Sequence, residues 1–71
     1  MARYLFQAEY RGVTATDDIG EEFSTLPEAE AHAAIVANEL RRNTSDAVAV
    51  SVLREDGTLV TKGIAARKYQ A

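Results

Sequence analysis

The chain has 71 residues, of which 46% are hydrophobic and 27% charged, with a formal charge of −3 and no cysteine. That length excludes a second independent core, the balance excludes a disordered composition, and the missing cysteine excludes a disulfide framework or a thiolate metal site. With 11 acidic residues against 8 basic ones, the chain also lacks the broad positive field that attracts nucleic acid, so DNA and RNA are disfavoured partners.

From Arg3 to Tyr10 the residues alternate, with Tyr4, Phe6, Ala8 and Tyr10 on one side and Arg3, Leu5, Gln7 and Glu9 on the other. This period of two predicts a half-buried strand. Arg11-Gly12 supplies a turn, and the β-branched stretch Val13 to Thr16 returns as a second strand. Asp17-Asp18-Ile19-Gly20-Glu21-Glu22 is charged and broken by glycine, which predicts a loop, with Phe23 dropping back towards the core.

Thr25-Leu26-Pro27-Glu28 has the pattern of a helix start: a threonine cap, a glutamate three residues on to answer it, and a proline in the first turn. Leu26, Ala29, Ala33, Val36, Ala37 and Leu40 then recur at the spacing of one helical face, predicting a helix over Pro27 to Arg42. Glu28 and Glu30 near its start and Arg41 and Arg42 at its end suit the helix dipole.

Asn43 to Asp46 is a polar break, after which Ala47 to Arg54 alternates again with Val48, Val50 and Val52 in phase. Asp56-Gly57 predicts a tight hairpin turn of type I′, and Leu59 to Ile64 forms its second strand. The expected fold is α+β, with order ββαββ: a four-stranded, mostly antiparallel sheet with one helix packed on one face. A single domain spans residues 1–66, and residues 67–71 form a frayed tail. Tyr4, Phe6 and the three valines face the helix. The other sheet face carries Leu5, Ala49, Leu53 and either Leu59 or Val60, mixed with Gln7, Glu9 and Ser51, and is apolar enough to be a contact surface.

The opening Met1-Ala2-Arg3-Tyr4-Leu5-Phe6, the acidic stretch Asp17 to Phe23, the alanine-rich helix and the segment Val50 to Val60 together resemble a large family of short bacterial proteins of unknown function. Members are frequent in rhizobia and related proteobacteria and begin with a Met-Pro-Arg-Tyr-Phe-Phe-like strand. The resemblance implies the α+β fold and brings no activity or cofactor with it. Family members commonly have a histidine after the aromatic pair of the first strand, where this chain has Gln7.

No constellation for nucleophilic or general acid–base catalysis stands out, so the chain is read as a non-enzyme without a cofactor. His32, the sole histidine, reads as a solvated or partly packed helix residue. Asp17, Asp18, Glu21 and Glu22 are a weak candidate for a hard cation, although their spacing is not that of a calcium loop. Tyr4, Phe6 and Tyr10 share the core phase, which argues against a base-stacking platform. No apolar run approaches the roughly 20 residues that span a bilayer, and the start lacks the apolar segment of a signal peptide, so the expected location is cytoplasmic.

So small a core gains from pairing with a second copy, so the expectation is a homodimeric protein-interaction module using Leu5, Ala49 and Leu53. The alternative is a small nucleic-acid-associated regulator whose Arg3, Arg11, Lys62, Arg67 and Lys68 gather on one side.

Overall fold

The computed structural model describes residues 1–42 and 47–65, leaving aside the side chain of Asp18. The elements run β1 (Ala2–Tyr10), β2 (Val13–Phe23), α1 (Leu26–Arg42), β3 (Ala49–Arg54) and β4 (Leu59–Ala65). All pairings are antiparallel, and the sheet order is β2-β1-β3-β4. The α+β class with one helix on an antiparallel sheet is as expected. The polar break at residues 43–46 and the tail at 67–71 lie outside the described residues.

α1 forms where its capping signals and apolar stripe coincide. The Thr25 amide donates to Glu28 Oε1 at 3.1 Å, and the Glu28 amide donates to Thr25 Oγ1 at 3.4 Å. This reciprocal capping box satisfies two of the amides that a helix start leaves without partners. Ala29, Ala33 and Ala37 are fully buried against Phe6, Val48, Val50 and Val52, with Leu26, Val36 and Leu40 flanking them. Alanine on the packed stripe lets the helix axis come close to a sheet floor of branched valines.

Two expectations fail, both for backbone reasons. Asp17 to Glu22 is not a loop, because β2 continues through it to Phe23. The strand pairs with β1 from Val13 to Asp17 and again from Glu21 to Phe23, with a register shift opposite Tyr4 and Phe6. Within the shift, Asp17 Oδ1 accepts from the Ile19 amide at 3.0 Å and Asp17 Oδ2 from the Gly20 amide at 3.3 Å. Gly20 takes a φ of 74°. The residues that resemble loop-formers thus build a bulge within an edge strand.

The second failure concerns the turns. Arg11 and Gly12 both have positive φ, 55° and 72°, which is the type I′ requirement. At the second hairpin only Gly57 is positive, so Asp56-Gly57 is not a type I′ pair. The Gly57 amide instead donates to the Arg54 carbonyl, and the Arg54 amide donates to the Thr58 carbonyl, both at 2.8 Å, giving a longer connection closed by a left-handed glycine.

Candidate functional site

Two surfaces survive as candidates, one on each side of the sheet. On the side away from α1, Leu5 stands opposite Leu53 in the β1–β3 ladder and Leu53 opposite Leu59 in the β3–β4 ladder. Directly opposed residues share a face, so three leucines form a row across three strands. Leu5 and Leu53 are half-buried and Leu59 is 51% exposed. Ala49 opposes Ala65 further along, and Gln7 opposes Ser51 between them. The predicted set Leu5, Ala49 and Leu53 therefore lies together on one face, and the choice between Leu59 and Val60 falls to Leu59. Val60 has no opposing residue in the shifted β3–β4 register.

Ser51 lies on this face and is 2% exposed, with its Oγ accepting from the Gly63 amide at 2.9 Å. This bond closes an irregularity in β4 where Gly63 has a φ of 60°. Both edges of the sheet are thus interrupted, β2 at Gly20 and β4 at Gly63. An interrupted edge is a poor template for adding another strand.

At the rim of the open face, Arg3 joins three segments. Its Nη1 donates to the Ile19 carbonyl at 2.9 Å, its Nη2 is 3.5 Å from Glu22 Oε2, and its Nε is 3.9 Å from Glu55 Oε2. An open depression of about 710 Å³ lies here, bounded by Met1, Tyr4, Arg54 and Asp56 as well as these charges.

The helix side holds the second candidate. α1 packs chiefly on β3 and β4 and only lightly on β1 and β2. Between it and the first hairpin runs a groove of about 350 Å³, floored by Phe6, Ala8, Ala15, Val36 and Val50, with His32 and Asp17 at its mouth. His32 rests on the rings of Phe6 and Phe23, at centroid distances of 5.1 and 5.4 Å, and its Nε2 is 3.7 Å from Glu21 Oε2. The histidine is a packed wall residue of the groove, as its place on the helix implied.

Of the four acidic residues singled out for a cation, the three whose side chains are described, Asp17, Glu21 and Glu22, do not converge. Glu22 faces Arg3 on the open side, Glu21 faces His32 on the helix side, and both oxygens of Asp17 are engaged by backbone amides. Among the described residues, no group of three or more His, Asp or Glu side chains is placed to hold a metal ion. Glu21 and Glu22, neighbours in the strand, point to opposite faces. The basic residues are also dispersed. Arg3 and Arg11 stand at opposite ends of β1, Lys62 lies on the far edge strand, and Arg67 and Lys68 fall outside the described residues.

Residues 3–65 match the family described as Domain of unknown function (DUF6894). The chain belongs to this family. The match spans every strand and the helix, from the opening of β1 to the end of β4. No curated protein and no solved structure matches the chain. No helix of the described residues is long and apolar enough to cross a membrane.

Proposed function

We propose that this member of the DUF6894 family is a non-enzymatic protein-interaction module that works as a homodimer, paired through the sheet face opposite α1. The row Leu5–Leu53–Leu59 carries this reading, because it is an apolar surface that the chain's one helix does not cover. A two-fold axis near Leu53 sets the leucine rows against each other, with Arg3, Glu9 and Glu22 left at the polar rim. The interrupted edges favour face-to-face pairing over strand addition. The resemblance of the opening strand implies a bacterial protein, and a cytoplasmic setting goes with this reading.

Sedimentation equilibrium over micromolar to millimolar concentrations tests the proposal. The wild type is expected to sediment as a dimer, and Leu53→Asp as a monomer with an unchanged far-ultraviolet circular dichroism spectrum. A wild type that stays monomeric at the highest concentration, or a Leu53→Asp variant that still pairs, overturns it.

A further inference from the structure

A helix seated over one half of a four-stranded sheet leaves the other half of that face less covered. Strands spaced about 4.8 Å apart make a face roughly 19 Å wide, and a helix about 10 Å across covers about two of them. α1 is seated over β3 and β4, which leaves the helix side of β1 and β2 partly open. The ladder places Ala8 opposite Ala15 and Tyr10 opposite Val13 on that half-face. Ala15 is exposed, Val13 is 54% exposed, and Ala8 and Tyr10 are half-buried at the margin of the core. The strip is apolar, its floor is made of small residues, and it runs beside Val36 of α1 along the groove.

Carboxylates border the groove itself, while Arg11 stands in the turn at the strip's hairpin end. Asp17 lines the groove, and Glu21, 59% exposed at its side chain, stands beyond His32 on the same face of β2. Asp17 accepts from two amides, and the Glu21 carboxylate meets His32. An occupant complementary to this half-face has an apolar stripe for the alanine floor and basic side chains for the acidic border.

We propose that the helix-side half-face of β1 and β2 is a docking site for an amphipathic α-helix of a partner protein, apolar on one side and basic along its flank, lying beside α1 as a second covering helix. Alanine at positions 8 and 15 permits the close approach that a helix on a sheet requires, as Ala29, Ala33 and Ala37 do on the α1 side of the same layer. The proposal rests on the reading of the chain as an interaction module but not on its pairing through Leu53, since the two surfaces lie on opposite sides of the sheet.

The test uses the full chain labelled for amide NMR and three synthetic peptides of about five helical turns. The first has leucines at helical spacing with lysines elsewhere, the second has glutamates in place of the lysines, and the third scrambles the first so that no stripe remains. The striped basic peptide is expected to give saturable shifts at Ala8, Tyr10, Ala15 and Val36, and the other two none. Ala15→Lys, an exposed strand position, is expected to weaken the striped basic peptide by roughly tenfold, and Glu21→Lys to weaken it and reduce its salt dependence. Equal binding of the scrambled peptide, shifts confined to the open face, or indifference to Ala15→Lys overturns the proposal. So does concentration-dependent shifting of these residues without peptide, which assigns the half-face to a second copy. Binding that persists in Leu53→Asp supports the docking site whatever the oligomeric state, so failure of the dimer and failure of this site are read separately.

Discussion

A β-carbon on Gly20 would stand 2.4 Å from the carbonyl oxygen of Tyr4 and 2.7 Å from Cδ2 of Leu5. The first contact is with backbone that is itself held in the ladder to β3, where Tyr4 pairs with Arg54. Gly20 also has a φ of 74°, so an L side chain is disfavoured there on both counts. Gly20→Ala is therefore expected to cost at least about 2 kcal/mol, read as a lowered midpoint in urea denaturation. Gly12→Ala is the control, because a β-carbon there meets nothing within 4 Å and only the positive φ of 72° opposes it. Equal losses in the two variants would show that conformation alone, and not the Tyr4 contact, sets the requirement at Gly20.

Ala33 lies at the middle of the helix stripe with no solvent exposure, while Ala31 on the same helix is exposed. Ala33→Leu forces extra methylenes between α1 and the valine floor and is expected to destabilise by about 1–3 kcal/mol. Ala31→Leu is expected to change stability by less than about 0.5 kcal/mol, since surface replacements between good helix formers are nearly neutral. Thermal melts of the pair check this, and a tolerated Ala33→Leu would mean that the helix lifts from the sheet at little cost.

The elements legible in the sequence were those whose local signals and burial agree. Thr25 and Glu28, the alanine stripe and the closing arginines all mark one helix, and Val48, Val50 and Val52 keep one phase because one face of β3 is buried. β2 was legible only to Thr16, because carboxylates and glycine count as strand breakers, whereas an edge strand can turn charges outward and use Asp17 and Gly20 to build a bulge. Asp56-Gly57 is the stronger sequence signal for a type I′ turn, but the conformation occurs at Arg11-Gly12, where a non-glycine residue takes a positive φ. Of the two surfaces, the shared face of Leu5, Ala49 and Leu53 follows from alternation, whereas the choice of Leu59 over Val60 needs the shifted β3–β4 register. The helix-side groove does not follow from alternation, because no residue pattern states which strands a helix will cover. Its sequence trace is two small residues, Ala15 between the β-branched Thr14 and Thr16 and Ala8 in phase with Phe6 and Tyr10.

The second hairpin carries a pH dependence. The Asp56 carboxylate accepts from the Thr58 amide at 2.9 Å, and hydrogen bonding by Thr58, with a smaller contribution from the charge of Arg54, holds its pKa below the ordinary aspartate value. A depressed folded-state pKa means that the unfolded chain takes up the proton first as pH falls. The stabilisation is then fully present above the ordinary aspartate range, about 3.9, and is lost as pH drops through the lower folded value. Asp56→Ala is expected to be less stable than wild type at neutral pH, with the difference closing in acid. An Asp56 carboxyl titration by NMR with a midpoint at or above that of an unstructured peptide contradicts this account.

Thr61 Oγ1 donates to Glu30 Oε2 at 2.6 Å, a polar tie between β4 and α1 in a partly buried position. Thr61 shares its face with Val52, so the hydroxyl points to the helix where the apolar stripe gives way to charge. A bond to an ionised acceptor contributes about 1.5–3 kcal/mol, and partial exposure puts this one at the low end. The expected coupling energy between Thr61→Val and Glu30→Gln in a double-mutant cycle is thus about 1 kcal/mol or slightly more. Because the bond fixes how far α1 sits towards β4, breaking it is also expected to let the helix shift over β1 and narrow the groove at Ala8 and Ala15. Amide shifts at those two alanines in the Thr61→Val variant, larger than those at Leu53 on the opposite face, are the measurement that checks it. Shifts confined to β4 would show that the valine floor alone determines the lateral position of the helix.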